Sequence, residues 1–79
     1  MRHIGVDLHK TNFVVCFLNA DDTQQIETYP LTRDGLSRFI RQLDAADTVA
    51  VEATQNIYYF YDQVKSHVTR MAVVDTYRF

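Results

Sequence analysis

The fold is decided by residues 3–18, which read HIGVDLHKTNFVVCFL. In the first half of this stretch Ile4, Val6 and Leu8 alternate with small or polar residues, which is the period-2 pattern of a strand. A break at residues 9–12 leads to residues 13–18, where every side chain is apolar. Apolar residues on both parities are typical of a central strand that is covered on both faces. The stretch therefore predicts two consecutive strands, the second of them central and covered on both sides.

The segments after this pair predict a third strand and a first helix. Residues 25–31 alternate weakly and include Pro30, which cannot donate to a ladder and so favours an edge strand. Residues 36–43 place apolar side chains at i, i+3, i+4 and i+7, the stripe of an amphipathic helix. Thr32 precedes this stripe and is a candidate N-cap, because its hydroxyl can accept from a first-turn amide.

The last third of the chain repeats the alternation of strand and helix. Residues 48–52 and 71–74 are short apolar strands, and residues 57–64 carry a second helical stripe that Thr54 could cap. The predicted order is β-β-β-α-β-α-β. Two β-α-β crossovers of right-handed sense place the helices against a mixed sheet, so the chain is an α/β domain spanning residues 1–79. The ending after the fifth strand suggests truncation before a final helix.

Composition limits the possible classes of protein. The apolar fraction is 47% and the aromatic fraction 13%, enough for a core and against disorder. No apolar run of about 20 residues and no signal-peptide pattern is present, so we expect a cytoplasmic protein that does not enter a membrane. The net charge of -2 argues against tight nucleic-acid binding by this segment alone. A domain this small has a marginal core, which favours a homo-oligomer. Cys16, the single cysteine, is interpreted as a buried hydrophobe.

Two acids are the candidate functional residues. Asp7 and Glu52 each lie near the carboxyl end of a predicted strand, where ligands gather in open sheets. If their strands are neighbours, about 4.8 Å apart, the two carboxylates can converge on one cation. Mg²⁺ prefers oxygen ligands, takes one or two carboxylates and drives phosphodiester chemistry. Asp7 also interrupts a hydrophobic strand, where an isolated buried charge needs a partner. The alternative is that both acids are solvated caps or turn residues.

Other polar and aromatic residues have simpler interpretations. His9 could be a metal ligand, a phosphate contact or an exposed turn residue. Tyr58 and Tyr59 lie off the second helical stripe and could stack on bases, form a dimer contact or pack partly against the sheet. Residues 44–47 are interpreted as a solvated turn. The histidines have no zinc-site spacing to Cys16.

Three segments resemble a known family. Residues 4–10 (IGVDLHK), residues 51–54 (VEAT) and residues 71–74 (MAVV) are similar, in order, to the N-terminal domain of DEDD transposases of the insertion sequence 110 family. The helix entry at residues 31–36 (LTRDGL) also fits. One departure is Gln55, where the family often has glycine after the threonine.

The resemblance implies a RuvC-like fold of the ribonuclease H class, with Asp7 and Glu52 as the first two metal ligands of a catalytic set. The family's last two aspartates, in an Asp-x-x-Asp arrangement after the fifth strand, are not among these residues. The implied activity of the intact protein is Mg²⁺- or Mn²⁺-dependent DNA strand cleavage or exchange in transposition. DNA would be the partner, in some members with a guide RNA. This segment alone would then be an inactive part of the enzyme.

Two alternatives remain open at the level of sequence. One is a non-catalytic interaction or dimerisation module of the same fold. The other is an actin-like ATPase lobe, which shares the three-strand opening and an aspartate near a phosphate loop. Such a loop usually needs glycine so that backbone amides approach the phosphate, whereas Leu8, His9 and Lys10 follow Asp7 here.

Overall fold

A computed structural model of the chain describes residues 2–53 and 57–74. Its elements follow the predicted order. The strands are β1 (His3–Leu8), β2 (Asn12–Leu18), β3 (Gln24–Pro30), β4 (Thr48–Ala53) and β5 (Arg70–Val74), and the helices are α1 (Arg33–Ile40) and α2 (Ile57–Val64), the latter followed by a 3₁₀ turn, Lys65–His67. The predicted cap Thr54 and the family departure Gln55 lie outside the described residues.

The five strands form one mixed sheet in the order β3-β2-β1-β4-β5. β1, β2 and β3 are antiparallel neighbours, whereas β1, β4 and β5 run parallel. The α/β class and the element order predicted from the sequence are confirmed, and so is the edge position of the strand that contains Pro30. The turn between β2 and β3 contains Asp22 in the left-handed region, at φ 68, which aspartate tolerates better than most residues.

The core lies between one face of the sheet and the two helices. Phe13 is its centre: its ring stacks on Tyr29 at 5.3 Å between centroids and meets Phe39 and Phe60 edge-on at 5.4 and 5.3 Å. Offset and edge-to-face contacts of this kind add to the hydrophobic stabilisation. The other buried apolar side chains of this core are Ile4, Val6, Leu8, Val15, Phe17, Leu36, Val49, Val51 and Val64.

Helix α1 begins as predicted and ends earlier. The Thr32 hydroxyl accepts a hydrogen bond from the amide of Gly35 at 3.0 Å, which confirms the N-cap. The helix ends at Ile40, and Leu43, expected on the helical stripe, lies in the following turn while still packing against the core.

The prediction of a solvated turn at residues 44–47 is wrong for Asp47. This residue is 1% exposed and receives three hydrogen bonds: from Arg2 Nε at 3.1 Å, from Arg2 Nη2 at 2.7 Å and from the amide of Asp44 at 2.7 Å. Arg2 also donates to the carbonyl of Gln42 and lies over the ring of Phe17 at 5.2 Å. The ion pair ties the start of β1 to the loop between α1 and β4. A pattern of acids in a turn gives no sign of a partner 45 positions away.

The expectation that β2 is covered on both faces is also wrong within residues 2–53 and 57–74. Both helices pack on the same side of the sheet, and no described element lies on the other side. We call that second side the open face. Its residues include His3, Gly5, Asp7, Val14, Cys16, Leu18, Ile26, Thr48, Ala50, Glu52, Arg70, Ala72 and Val74. The apolar residues of β2 on this face are only half-buried, because the face has no second layer.

Candidate functional site

Asp7 and Glu52 are register partners on adjacent strands. β1 and β4 run parallel, and Asp7 pairs with Glu52 at the carboxyl end of each strand. Both side chains project to the open face, because the other parity of each strand is buried in the core. Parallel neighbours in register lie about 4.8 Å apart. The two carboxylates predicted from the sequence are therefore brought side by side.

The two strands also flank a switch point of the topology. The chain leaves β1 toward β2 on one side and leaves β4 through α2 toward β5 on the other side. Where successive connections diverge in this way, a crevice opens outside the carboxyl ends of the strands, and ligands of open α/β sheets bind there. The carboxylates of Asp7 and Glu52 are at this position.

The interpretation of Asp7 as a buried charge is wrong. Its side chain is 56% exposed, because the open face leaves it in contact with solvent. The partner of Asp7 is His9, whose Nε2 lies 3.1 Å from Asp7 Oδ2 and whose side chain is 52% exposed. An exposed pair of this type contributes little stability. The position of His9 therefore allows it to orient the Asp7 carboxylate through Oδ2.

The surroundings of the two acids are a shallow apolar depression. A cavity of about 380 Å³ on the open face is lined by Asp7, Glu52 and mainly apolar neighbours, and all five strands contribute to its lining. The two acids lie at one edge of the depression. Its other lining residues include Val14, Cys16, Ile26 and Val74. Among the residues that line the depression, Asp7 and Glu52 are the charged side chains.

Asp7 and Glu52 are a pair of candidate metal ligands. In residues 2–53 and 57–74, no group of three or more His, Cys, Asp or Glu side chains is arranged to hold a metal ion. Two adjacent carboxylates match the one or two that Mg²⁺ takes from a protein when water and substrate phosphate complete its shell. Asp7 and Glu52 thus have the chemistry of hard-cation ligands, and a complete site would need further ligands.

The remaining predicted residues are separated from these acids. Tyr58 and Tyr59 are 84% and 54% exposed on α2, on the far side of the sheet, so they do not contribute to the same site. Cys16 is half-buried on the open face and not in the core, contrary to the sequence interpretation. His3 lies at the opposite end of β1, where its Nδ1 is 2.7 Å from the hydroxyl of Thr48.

One feature of this face has no signal in the sequence. Gly5, Ala50 and Ala72 are consecutive register partners on β1, β4 and β5, and with Cys16 on β2 they form a row of small side chains across the sheet. These residues are far apart in sequence, and each is unremarkable in its own strand. Only the strand order and register bring them together.

Comparison with known proteins adds little at the level of sequence. No protein-family model matches the chain, and no curated protein matches it significantly. Among solved structures, it is similar to the Ppx/GppA phosphatase of Aquifex aeolicus in its type II variant, with a TM-score of 0.46 and 14% sequence identity. The alignment covers 96% of this chain and 36% of that one. Within the described residues, no helix is long and apolar enough to cross a membrane.

Proposed function

We propose that this chain is the front part of a ribonuclease-H-like, RuvC-like catalytic domain in which Asp7 and Glu52 bind Mg²⁺ or Mn²⁺ for phosphodiester chemistry on DNA. The observation that carries the proposal is the in-register pairing of the two acids on β1 and β4 at the switch point of the sheet. The DEDD-transposase resemblance of the sequence motifs supports DNA strand cleavage or exchange as the particular reaction.

The chemistry follows from the position of the carboxylates. Asp7 and Glu52 would hold the cation at the open face, and water and a substrate phosphate would supply its other ligands. It would polarise the scissile phosphate and stabilise the charge that develops on the entering and leaving oxygens. Because the segment has a net charge of -2, the cation is also needed to reduce repulsion between the protein and DNA.

The proposal assigns different tasks to other parts of the intact protein. Two carboxylates leave the metal incompletely held, and additional acids after β5 would complete the set, as in the family that the motifs resemble. Most DNA contacts, and the guide RNA used by some members of that family, would involve residues outside this segment. The segment alone is expected to bind the metal weakly and to be inactive on DNA.

Metal binding by the chain itself is the first test. Mn²⁺ is titrated into the wild type and into Asp7→Asn and Glu52→Gln, and the free ion is followed by electron paramagnetic resonance. We expect each variant to weaken binding about tenfold, which corresponds to the loss of one charged ligand, about 1.4 kcal/mol. Asp62→Asn is the matched control, because this exposed acid lies on α2 beside Lys65 and its removal should leave the binding unchanged.

DNA cleavage by the intact protein is the second test. Asp7→Asn is expected to abolish strand cleavage with unchanged circular dichroism and unchanged DNA affinity at low salt, since the carboxylate is exposed and does not hold the fold. Wild-type cleavage by the combined Asp7→Asn and Glu52→Gln variant would refute the proposal. Tight Mg²⁺-dependent binding of ATP without affinity for DNA would instead favour the actin-like alternative.

A further inference from the structure

The open face leaves one side of the sheet exposed to solvent, although three of the five strands are parallel. β1, β4 and β5 are parallel, and parallel sheets are generally covered on both faces. Here Val74 is 39% exposed and Ile26 is 66% exposed on the open face. A second cavity, of about 530 Å³, extends along the same face toward the start of the strands. Exposed apolar side chains grouped on one face, with polar residues at its edges, are a candidate interaction surface.

The polar side chains of the open face differ between its two ends. The acidic end holds Asp7 and Glu52. The basic end, four residues earlier on each strand, holds the cation Arg70 and the imidazole of His3, with Thr48 between them. The small-residue row of Cys16, Gly5, Ala50 and Ala72 lies midway between the two ends.

The turns beyond the two ends of the sheet carry charges opposite in sign to those ends. Lys10, in the turn between β1 and β2, lies beyond the acidic end. Asp21 and Asp22, in the turn between β2 and β3, lie beyond the basic end. The distribution of charge is thus antisymmetric about the small-residue row.

We infer that the open face pairs with the open face of a second copy of this chain, around a two-fold axis that runs along the small-residue row. This axis leaves each strand above the same strand of its partner and exchanges the two ends of the face. The acidic end then faces the basic end of the partner twice, and Lys10 comes near the acidic turn. Small side chains on the axis allow the sheets to approach closely. Isologous pairing of this type is the commonest form of homo-oligomer.

The size of the face determines the strength of this dimer. Five strands about 4.8 Å apart, each contributing about five residues at a rise of about 3.3 Å, give a face of roughly 400 Å². Two copies bury roughly 800 Å², which is less than the about 1,200 Å² of stable complexes. The dimer is therefore weak, reversible and dependent on concentration and salt.

The inference does not rest on the metal proposal. The pairing covers Asp7 and Glu52, so a DNA-bound state and this dimer exclude each other.

A charge placed on the axis provides the decisive test. A side chain added at Gly5 meets no atom within 4 Å in the monomer, so Gly5→Lys and Gly5→Glu should fold. In the dimer each new charge would face its own copy, so each variant alone should be monomeric in sedimentation velocity, with the dimerisation constant weakened at least tenfold. An equimolar mixture of the two should form heterodimers. Ser37→Lys and Ser37→Glu, exposed on α1, are the matched controls and should dimerise like the wild type.

Cross-linking gives an independent readout of the same geometry. Cys16 is the single cysteine and lies on the proposed axis, so a short bismaleimide should link two copies of the wild type. The variant that combines Cys16→Ser with Ser37→Cys should not be linked above the background of random collisions. A wild type that remains monomeric at millimolar concentration, or Gly5 variants that dimerise like the wild type, would overturn the inference. Failure of the mixture to form heterodimers, with each variant folded, would do the same.

Discussion

Replacement of Asp47 by alanine should be among the most damaging single changes in this domain. The side chain is fully enclosed and accepts two hydrogen bonds from Arg2 and one from the amide of Asp44. Removal of the carboxylate leaves a partly buried guanidinium and a backbone amide without their partner. Breaking a buried ion pair in this way typically costs about 3–5 kcal/mol.

The loss of stability should be smaller than this for Asp47→Ala. The Arg2 side chain remains 29% exposed and keeps its hydrogen bond to Gln42, so water can compensate part of the loss. We therefore expect Asp47→Ala to lower the free energy of unfolding by about 2–3 kcal/mol. For a domain of this size the melting temperature should fall by roughly 10–20 °C. Such a loss is a large part of the total stability, which is about 0.05–0.15 kcal/mol per residue.

Urea unfolding followed by far-ultraviolet circular dichroism measures this change, since the chain has no tryptophan. Asp47→Asn keeps the shape and one acceptor and should lose about half as much. Asp34→Ala is the control, because Asp34 is 83% exposed and 3.6 Å from Arg38 within one helix, and it should change stability by less than about 0.5 kcal/mol. A loss below about 1 kcal/mol for Asp47→Ala would refute the reasoning that this ion pair ties β1 to the loop before β4.

The ion pair between Arg2 and Asp47 should make the free energy of unfolding depend on pH in the acid range. Burial raises the pKa of Asp47, but the hydrogen bonds from Arg2 and the amide of Asp44 outweigh it and hold the pKa below its ordinary 3.8. A carboxyl whose pKa is depressed by folding stabilises the protein above its unfolded pKa, and this contribution is lost as the pH falls through the folded pKa. Stability of the wild type should therefore fall below about pH 4 more steeply than that of Asp47→Asn. Parallel pH profiles for the two proteins would contradict this assignment.

Three further predictions concern the two glycines, a buried tyrosine and the effect of Mg²⁺ on the dimer. Gly35→Ala should destabilise by about 2 kcal/mol or more, because its Cβ would overlap the carbonyl oxygen of Pro30, whereas Gly5→Ala, with free space, should be neutral or stabilising in urea unfolding. Burial, and then its hydrogen bond to a glutamate, raise the pKa of Tyr29 to about 12, so stability should decline as the pH rises from about 10 toward that value, and Tyr29→Phe should remove this decline. Mg²⁺ should dissociate the wild-type dimer in sedimentation velocity at an about tenfold lower concentration than it dissociates the dimer of Glu52→Gln. Equal sensitivity of both proteins would show that the metal and the interface do not share the acidic end.

Most of the fold could be predicted from the chain because local patterns are strong where one face of an element is buried. The alternation in residues 3–8 defines β1, and the helical spacing of Leu36 and Phe39 defines the buried stripe of α1. The hydroxyl of Thr32 determines where α1 begins. These signals come from neighbours in sequence, and they lose accuracy at element ends, as the early end of α1 at Ile40 illustrates.

The candidate site was predictable only in part. The sequence located Asp7 and Glu52 at strand ends, and it is the parallel pairing of β1 with β4 that makes them neighbours. Their exposure could not be predicted, because alternation identifies the buried face of a strand but does not reveal whether the other face has a second layer. For the same reason Cys16 was expected in the core and lies on the open face.

The elements, their order and the two candidate acids can thus be inferred from the chain alone, since these depend on residue types within a few positions of one another. Tertiary structure decided which residues meet across the chain: Arg2 with Asp47, the small-residue row, and the opposed charges at the ends of the open face. These contacts depend on strand order and register. Both are set by the global burial of apolar surface, to which every strand contributes and which no single segment encodes.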